Sequence, residues 1–462
     1  MIKEDTKSYK RFEISEEGKM EKITSTKKIL TSVTFLAFLL FLIGFATPGD
    51  SSESAFNQPK GFSLYRSAPK ESSWGRGVVI QPDGKIVVMG VSYNGRNHQT
   101  LVLRLNSDGT RDNTFGTGGV FTYGDKRKGN NYGSGVTLQP DGKIVVVGDS
   151  SYDKNRDVLV LRCNSDGSLD STFGKGGATT YKSQAKENQH LGFGVALQPD
   201  AKIVVVGSTS NGKNHEVMLL RFNSDGSLDS SFGKGGIVTH SGLSNANFWG
   251  RAVAIQPDGK IVVVGISYTA KKCDVLTLRY NADGSLDKAF GEDGVAPSSC
   301  PPGGHDWGRS IAIQPDGKII VAGNTRSGEK RNAILLRYDV NGKPDASFGI
   351  GGIVSSTVYR RYWGQALALL QDGKIVTVGN SVSGPKYEAS VVRYNGDGTP
   401  DKGFGKEGFV TLNYPPNSNN WGFAVATQQD AKIVVVGYVQ SGKSKDILVA
   451  RYKNDGTLDV SP

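Results

Sequence analysis

The sequence has few of the residues, and none of the short motifs, on which most enzyme chemistry depends. Of its 462 residues, three are cysteine and five are histidine. It contains no GxSxG turn, CxxC pair, HExxH helix or phosphate-binding glycine loop, and each of these motifs places a reactive group or ligand that its chemistry needs. Nucleophilic, dithiol, zinc-peptidase and nucleotide-dependent chemistry therefore have no basis in the sequence, and we predict neither a metal site nor a cofactor.

The sequence also lacks helical periodicity, a collagen period and low-complexity tracts. It has 61 glycines, 17 prolines and 37% apolar residues. Short apolar runs rich in Val and Ile alternate with Asp-Gly turns, a pattern typical of β-hairpins. We therefore predict an all-β fold.

One long apolar run is present near the N-terminus. Residues 29–45 follow Lys27 and Lys28 and carry no charge. This run of 17 residues is short for a membrane span and long for a signal-peptide core. Either way, the preceding lysines keep the N-terminus in the cytoplasm, so the rest of the chain is exported. The predicted location is secreted, periplasmic or at the cell surface.

Two forms of this export segment stay open, and a buried segment of the hydrophobic core is the remaining alternative to export. Small residues before the cleavage point favour a signal peptide comprising residues 1–46, whereas an uncleaved segment would anchor the protein in the membrane. The lead before the apolar run is long for a signal peptide, and translation from Met20 instead of Met1 would shorten it. Residues 47–55 then form a short linker.

A repeat of about 58 residues occupies the rest of the chain, residues 56–462. Each repeat reads as a segment such as AVAIQ, a PDG turn, KIVVVG, a variable loop, a segment such as VLTLRY, an NADGS turn and a short extended end. Four strands in each of seven repeats predict a seven-bladed β-propeller of four-stranded blades. The turn aspartates that mark the repeats are Asp83, Asp141, Asp200, Asp258, Asp316, Asp372 and Asp430.

The two ends of the repeat array complement each other. The last repeat ends at LDVSP and lacks the FGxxG strand of the other repeats, whereas residues 56–65, FNQPKGFSLY, resemble residues 404–414, FGKEGFVTLNY. We therefore expect the N-terminal segment to complete the last blade and close the ring, because a closed ring leaves no exposed strand edge.

The segments QPDGKIVVVG, RYNADGSLD and FGxxG resemble the delta-60 repeat family of exported bacterial proteins. The resemblance covers residues 56–462 and implies a propeller fold and export. It implies no activity, because the family offers no catalytic motif to transfer. The departures are small: Ala201 and Ala431 replace a turn glycine, and the sixth repeat reads LLQDGK.

All tryptophans occupy one repeat position, and a glycine follows each. Tyr132 and Leu191 fill the other two repeats. The column either packs between blades, which the leucine favours, or forms an aromatic ring at the channel mouth that stacks on sugars. Its tryptophans are Trp74, Trp249, Trp307, Trp363 and Trp421.

One arginine per repeat lies in the third strand. Because both faces of such a strand are covered, a buried charge there needs a partner. We expect structural ion pairs between blades, with the repeated aspartates as partners. These arginines are Arg104, Arg162, Arg221, Arg279, Arg337, Arg393 and Arg451.

Because successive strands of a blade run antiparallel, consecutive loops lie on opposite faces of the predicted disc. The turn face carries the repeated PDG and NSDGS turns, and the variable face carries the hairpins between second and third strands and the connectors between blades. Without residues 1–46 the chain keeps 47 basic and 38 acidic residues, a net charge of +9. Arg76, Arg251 and Arg309 follow WG pairs and add positive charge, so we expect the variable face to attract anionic partners.

Two smaller sites follow from the residues of the variable face. Cys273 begins the third strand of the fourth repeat and Cys300 follows its fourth strand. Because these two strand ends are antiparallel neighbours, we predict a disulfide between them in an oxidising compartment. A metal cluster of His190, His215 and His240 is a weaker alternative because metal-ligand spacings are absent. The NSDGSLD turn likewise departs from the calcium-loop pattern, since glycine comes fourth instead of sixth.

We predict an exported, monomeric, non-enzymatic propeller that binds a polysaccharide or protein at the cell surface or outside the cell. The ligand-binding candidates are the five tryptophans together with Arg76, Arg251 and Arg309. Two alternatives stay open, a propeller hydrolase or lyase acting on acidic polysaccharide and a purely structural surface protein. Export argues against a nucleic-acid partner, and contact with a membrane would involve only the N-terminal segment.

Overall fold

The computed structural model describes residues 61–66, 72–124, 129–152, 155–182, 189–210, 212–241, 246–269, 272–298, 304–328, 330–356, 362–415 and 418–460. Across these residues, 28 strands form seven four-stranded antiparallel sheets, and no α-helix occurs. Residues 56–462 belong to one compact unit. The sheets are the blades of a seven-bladed β-propeller, which confirms the predicted fold.

The strands follow one another in the same order in every blade. The first blade comprises β2 (Ser72–Ile80), β3 (Ile86–Tyr93), β4 (His98–Leu105) and β5 (Val120–Tyr123). The second comprises β6 (Asn130–Leu138), β7 (Ile144–Tyr152), β8 (Asn155–Cys163) and β9 (Ala178–Tyr181). The third comprises β10 (His190–Leu197), β11 (Ile203–Ser210), β12 (His215–Phe222) and β13 (Ile237–His240). The fourth comprises β14 (Asn247–Ile255), β15 (Ile261–Thr269), β16 (Lys272–Tyr280) and β17 (Val295–Ala296).

The remaining three blades repeat this arrangement. The fifth comprises β18 (His305–Ile313), β19 (Ile319–Ser327), β20 (Lys330–Tyr338) and β21 (Ile353–Ser355). The sixth comprises β22 (Trp363–Leu369), β23 (Ile375–Ser383), β24 (Lys386–Tyr394) and β25 (Phe409–Leu412). The seventh comprises β26 (Asn419–Thr427), β27 (Ile433–Ser441), β28 (Ser444–Tyr452) and, from the other end of the array, β1 (Phe62–Tyr65).

The second and third strands of each blade are buried on both faces. In β15, all four residues from Ile261 to Val264 are 0% exposed. Adjacent blades share each core: one cluster joins Val147 and Val160 of the second blade to Val205 and Leu220 of the third. Because each blade face packs against a neighbour, these strands are continuous apolar runs without a polar alternation.

A tight turn joins the first two strands of each blade. In the fourth blade the backbone N–H of Gln256 donates to the carbonyl of Lys260 at 2.8 Å, and Gly259 has a φ of +83°. Ala201 and Ala431 take the corresponding position with a φ of +63°. A left-handed conformation costs an L-residue about 1–2 kcal/mol relative to its preferred one, so the turn shape is imposed by the flanking hairpin.

The ring closes as predicted, with strands from both ends of the array in one blade. β1 pairs antiparallel with β28, with Phe62 opposite Ala450 and Tyr65 opposite Ile447. A shared cluster then joins the first blade to the seventh, including Val78 and Val434. The N-terminal strand therefore covers the edge that the last repeat would otherwise expose.

Strand order places the repeated turns on the turn face and the second-to-third hairpins and connectors on the variable face. The apolar run at residues 29–45 lies outside the described residues. Within the described part, no helix is long and apolar enough to cross a membrane.

Candidate functional site

The third-strand arginines form buried ion pairs with the aspartate eight residues further on. In the third blade, Arg221 Nε donates to Asp229 Oδ2 at 2.7 Å, and Lys202 Nζ reaches the same oxygen at 2.6 Å. Arg221 and Asp229 each expose only 7% of the side chain. The same pairs, with N–O distances of 2.7 or 2.8 Å, are Arg104–Asp112, Arg162–Asp170, Arg279–Asp287, Arg337–Asp345, Arg393–Asp401 and Arg451–Asp459.

The same guanidinium groups tie each blade to the next. Arg221 Nη1 donates to the carbonyl of Ala282 in the fourth blade, and its guanidinium lies 4.6 Å from the centre of the Phe232 ring. The contact recurs around the ring and ends with Arg451 of the seventh blade donating to Ser107 of the first. The carbonyl acceptors in the intervening blades are those of Ser165, Ser224, Val340, Gly396 and Asn454.

The carboxylates of this network stay ionised despite their burial. Burial opposes ionisation of Asp112, but hydrogen bonds from Thr114 and the charges of Lys85 and Arg104 hold its pKa well below the usual range. Asp170 and Asp229 have the same balance of causes in their own blades and also have lowered pKa values. The network is therefore charged at neutral pH and serves the frame of the propeller.

The tryptophan column packs between blades. Four of the five rings lie against a residue near the start of the third strand of the preceding blade: the ring centres of His215 and Trp249 are 5.2 Å apart, for example, and those of Tyr387 and Trp421 are 4.2 Å apart. The Trp307 ring stacks instead on His305 of its own strand. For the tryptophan of the first blade the neighbouring third-strand residue is a cation: Lys445 Nζ lies 5.6 Å from the centre of the Trp74 ring. These contacts favour packing over a free aromatic ring at the channel mouth.

The tryptophans differ in how far they are covered. Trp363 and Trp421 are buried, at 7% and 9% exposure, and the guanidinium of Arg331 lies 5.9 Å from the Trp363 ring. Trp74, Trp249 and Trp307 are half-buried. Only these three still present part of the indole to a ligand.

The three histidines weighed as a metal cluster each pack against a different aromatic ring. The ring centres of His190 and Tyr181 are 5.2 Å apart, and those of His240 and Phe248 are 5.9 Å apart. Burial lowers the pKa of His190, His215 and His240, so these rings are neutral packing groups at pH 7. Among the residues that the structure describes, no group of three or more His, Cys, Asp or Glu side chains is placed to hold a metal ion.

The predicted disulfide is not tested by the structure. Cys273 is 7% exposed, and burial raises the pKa of its thiol to about 11. Its intended partner, Cys300, lies outside the described residues. Counting free thiols in the non-reduced protein by mass spectrometry checks the prediction, since a disulfide leaves one reactive thiol and its absence leaves three.

Each innermost strand carries a β-bulge directly after the glycine of the WG pair. In β14 the pairing with β15 skips Arg251, so that Gly250 lies opposite Gly265 and Ala252 opposite Val264. The same shift occurs in every blade, and a bulge re-aims the side chain of the extra residue. The bulged residues are Arg76, Ser134, Phe193, Arg251, Arg309, Gln365 and Phe423.

Three of the bulged residues are arginines: Arg76, Arg251 and Arg309. Burial, with the neighbouring charges of Arg309 and Arg76, lowers the pKa of Arg251 to about 9. The guanidinium of Arg251 lies 4.3 Å from the centre of the Phe193 ring. Sequence analysis named these arginines as ligand candidates but missed the bulge; the available signal was a polar residue breaking the apolar alternation after WG.

The two faces of the disc differ in charge. On the turn face, six of the repeated turn aspartates pair with the lysine two residues on, so these charges compensate one another. On the variable face, every second-to-third hairpin brings a basic residue: Arg96, Arg156, Lys213, Lys272, Arg326, Lys386 and Lys443. Among these, Arg156 pairs with Asp149 and Lys272 with Asp274.

A shallow cleft of about 500 Å³ lies on the turn face between the sixth and seventh blades. Its lining includes Arg393 and Asp401 of the ion-pair network and Lys453 and Asp455 of the next turn. Because these are parts that the other blades repeat, the cleft belongs to the frame.

Comparison with known families agrees with the seven-fold repeat. The model of a β-propeller family described as a domain of unknown function (DUF5122) matches residues 81–115, 139–173, 198–232, 256–290, 314–348, 370–404 and 428–461. The chain belongs to this family. The first six matches run from the turn between the first two strands to the FGxxG phenylalanine, and the seventh runs to residue 461, where the FGxxG segment is absent. All seven include the segment that carries the ion-pair network. The family description does not include the delta-60 name, which stays a resemblance.

Solved structures share the fold at low sequence identity. The polysaccharide lyase Uly1 is 10% identical, with a TM-score of 0.51 over 82% of this chain and 89% of that one. A PL25 ulvan lyase is 12% identical, with a TM-score of 0.50 over 83% of this chain and 92% of that one. Among curated proteins, none matches the sequence. Likeness at this level shows the propeller fold alone.

Proposed function

We propose that this protein is an exported, non-enzymatic propeller that binds an acidic polysaccharide at the cell surface or outside the cell through its variable face. The observation that carries the proposal is the charge difference between the faces: a basic residue in every second-to-third hairpin on one face, and turn aspartates that are paired with lysines on the other. Charges of one sign grouped on one face attract and orient a polymer of the opposite sign.

Two features of the variable face, together with the comparison of folds, support a polysaccharide as the polymer. Trp74, Trp249 and Trp307 are half-buried, so each offers part of an indole against which a sugar ring packs. The hairpins differ in sequence from blade to blade, as expected of binding loops on a rigid frame. The structurally similar proteins include two polysaccharide lyases, although their likeness reaches only the fold.

Binding assays at two salt concentrations test the proposal. Purified protein comprising residues 47–462, which keeps the whole compact unit, is titrated with acidic and neutral polysaccharides. Saturable binding to a few acidic members that persists at moderate salt supports a specific site. Binding to every polyanion tested, lost as the salt concentration is raised, would show that the basic face acts only as a nonspecific electrostatic field. Release of unsaturated sugar products would instead support the lyase alternative.

A matched pair of triple variants separates face from net charge. Arg96→Gln, Lys213→Gln and Lys443→Gln together remove three exposed charges from the variable face, whereas Lys175→Gln, Lys234→Gln and Lys402→Gln remove three exposed charges from the turn face. At about 0.5 kcal/mol for each exposed ionic contact, the first set weakens binding about tenfold. Equal effects of the two sets would contradict a role for the variable face.

A further inference from the structure

Four aromatic side chains of the sixth and seventh blades form a continuous series of ring contacts. Trp363, Tyr387, Trp421 and Tyr438 follow one another with ring centres 5.9, 4.2 and 6.0 Å apart. The rings of Tyr387 and Trp421 are stacked, at an interplanar angle of 27°. We call these four residues the aromatic chain. Indole and phenol alternate along it, so that each tryptophan has a tyrosine as its neighbour.

The frame of the propeller does not require the two tyrosines. Tyr438 lies opposite Trp421 in the pairing of β26 and β27, whereas Ile266 lies opposite the tryptophan of the fourth blade. At the start of the third strand, the backbone N–H of Tyr387 donates to an asparagine of the next blade, and His215 makes the same contact in the third blade. The tyrosines are therefore additions to contacts that other blades make without them.

The two tryptophans are poorly suited to keep an oxidised ring. They are 7% and 9% exposed, and the indole N–H of Trp421 is buried, with no hydrogen-bond acceptor among the residues that the structure describes. An indole that loses one electron becomes neutral only by giving up this proton, and proton transfer needs an acceptor within hydrogen-bond reach. The guanidinium of Arg331 lies 5.9 Å from the Trp363 ring and disfavours a second positive charge there.

The two tyrosines are better suited to take over the oxidation. Both are half-buried, so part of each side chain meets solvent. A phenol that loses a proton to water together with its electron ends as a neutral radical. Lys445 Nζ lies 4.9 Å from the centre of the Tyr438 ring, and its charge opposes a radical cation there without opposing a neutral radical. Transfer of the oxidation from indole to phenol is therefore favoured.

We propose that the aromatic chain is an electron relay, which passes one-electron oxidation of its buried tryptophans to its half-buried tyrosines. A one-electron oxidant from solution, such as a radical formed from peroxide, takes an electron from Trp421. The indole radical cation takes an electron from the phenol of Tyr387 or Tyr438, whose O–H proton passes to water. The indole is thereby restored, a neutral tyrosyl radical remains, and a reductant such as ascorbate returns one electron and one proton to it. This activity is independent of the polysaccharide.

Photo-oxidation tests the relay. The purified protein is illuminated with light that indole absorbs and phenol does not, with a cobalt(III) ammine complex as the electron acceptor. Flash photolysis of the wild type should show the absorbance of the tryptophan radical decaying as that of a tyrosyl radical rises. The double variant Tyr387→Phe, Tyr438→Phe keeps both rings in place but cannot supply the electron. It should lose most of this conversion and accumulate severalfold more oxidised Trp421, measured by peptide mass spectrometry.

Two controls make the result specific. Tyr152→Phe removes a tyrosine outside the aromatic chain whose exposure is 44%, and it should leave oxidation of Trp421 unchanged. Trp249, which packs against His215, is the internal reference for the light dose, and equal Tm values show that the variants keep the frame. Absence of a tyrosyl radical in the wild type would overturn the inference, as would equal oxidation of Trp421 in the wild type and the double variant. An increase of the same size in Tyr152→Phe would also overturn it, because any tyrosine would then protect the indole from solution.

Discussion

Replacement of Arg221 by alanine should show how much of the stability depends on the repeated ion pair. Arg221 reaches Asp229 at 2.7 Å, Ser231 Oγ at 3.1 Å and Gln198 Oε1 at 3.2 Å, and it also donates to Ala282 in the next blade. With both partners almost fully buried, truncation leaves Asp229 ionised, with Lys202 as the cation that still pairs with it. Breaking a buried pair in this way costs about 3–5 kcal/mol of unfolding free energy.

Lys202→Ala is the matched control, since it removes the other cation from the same carboxylate. The Lys202 side chain is 29% exposed, so its loss should cost only about 0.2–1 kcal/mol. Urea unfolding followed by tryptophan fluorescence measures both variants, and adding Asp229→Asn to each completes a double-mutant cycle. A cost below about 1 kcal/mol for Arg221→Ala, or equal costs for the two cations, would refute the argument from burial.

Three further predictions concern closure, packing and pH. Deleting residues 1–66 removes β1, which should expose the edge of β28 and convert a monomer into larger species in size-exclusion chromatography with light scattering; an unchanged monomer would contradict ring closure by this strand. Gly265→Ala places a Cβ against the carbonyl of Trp249 and should lower the unfolding free energy by about 1–3 kcal/mol, whereas Gly396→Ala, with its nearest atom at 3.5 Å, should leave it nearly unchanged. The network lowers the folded-state pKa of Asp112, Asp170 and Asp229. Its contribution to stability is therefore complete above about pH 4, the pKa of these carboxyl groups in the unfolded chain, and is lost as the pH falls further. A midpoint in urea that does not change between pH 5 and pH 3 would contradict this last prediction.

The fold was predictable because each blade repeats the same physical solution. Strand order, the PDG hairpins and closure by the N-terminal strand follow from the period, the turn residues and the missing FGxxG segment of the last repeat. The partner of the third-strand arginine was harder to name, because each repeat offers three aspartates. The choice of Asp229 for Arg221, over Asp200 or Asp225, depends on how the SLD segment returns along the third strand, which the pattern of apolar residues does not specify.

The site was less accessible to sequence reasoning because it depends on a local irregularity. In a regular strand, Arg251 would follow Gly250 on the opposite face of the sheet, between two blades, where its charge would need a partner. The bulge takes the residue out of register with β15, and its guanidinium packs on the Phe193 ring of the third blade. Alternation of polar and apolar residues predicts faces of regular strands, and it fails at a position that belongs to neither face.

Repetition itself separates frame from function in this protein. A residue that recurs in all seven blades, such as the third-strand arginine, is explained by a contact that each blade makes with the next, and its loss is expected to act through stability. The bulge position has the same backbone in every blade but different side chains, Arg251 in one and Ser134 or Gln365 in others. Since the frame accepts all of them, the side chain at this position is not set by the contacts that every blade repeats.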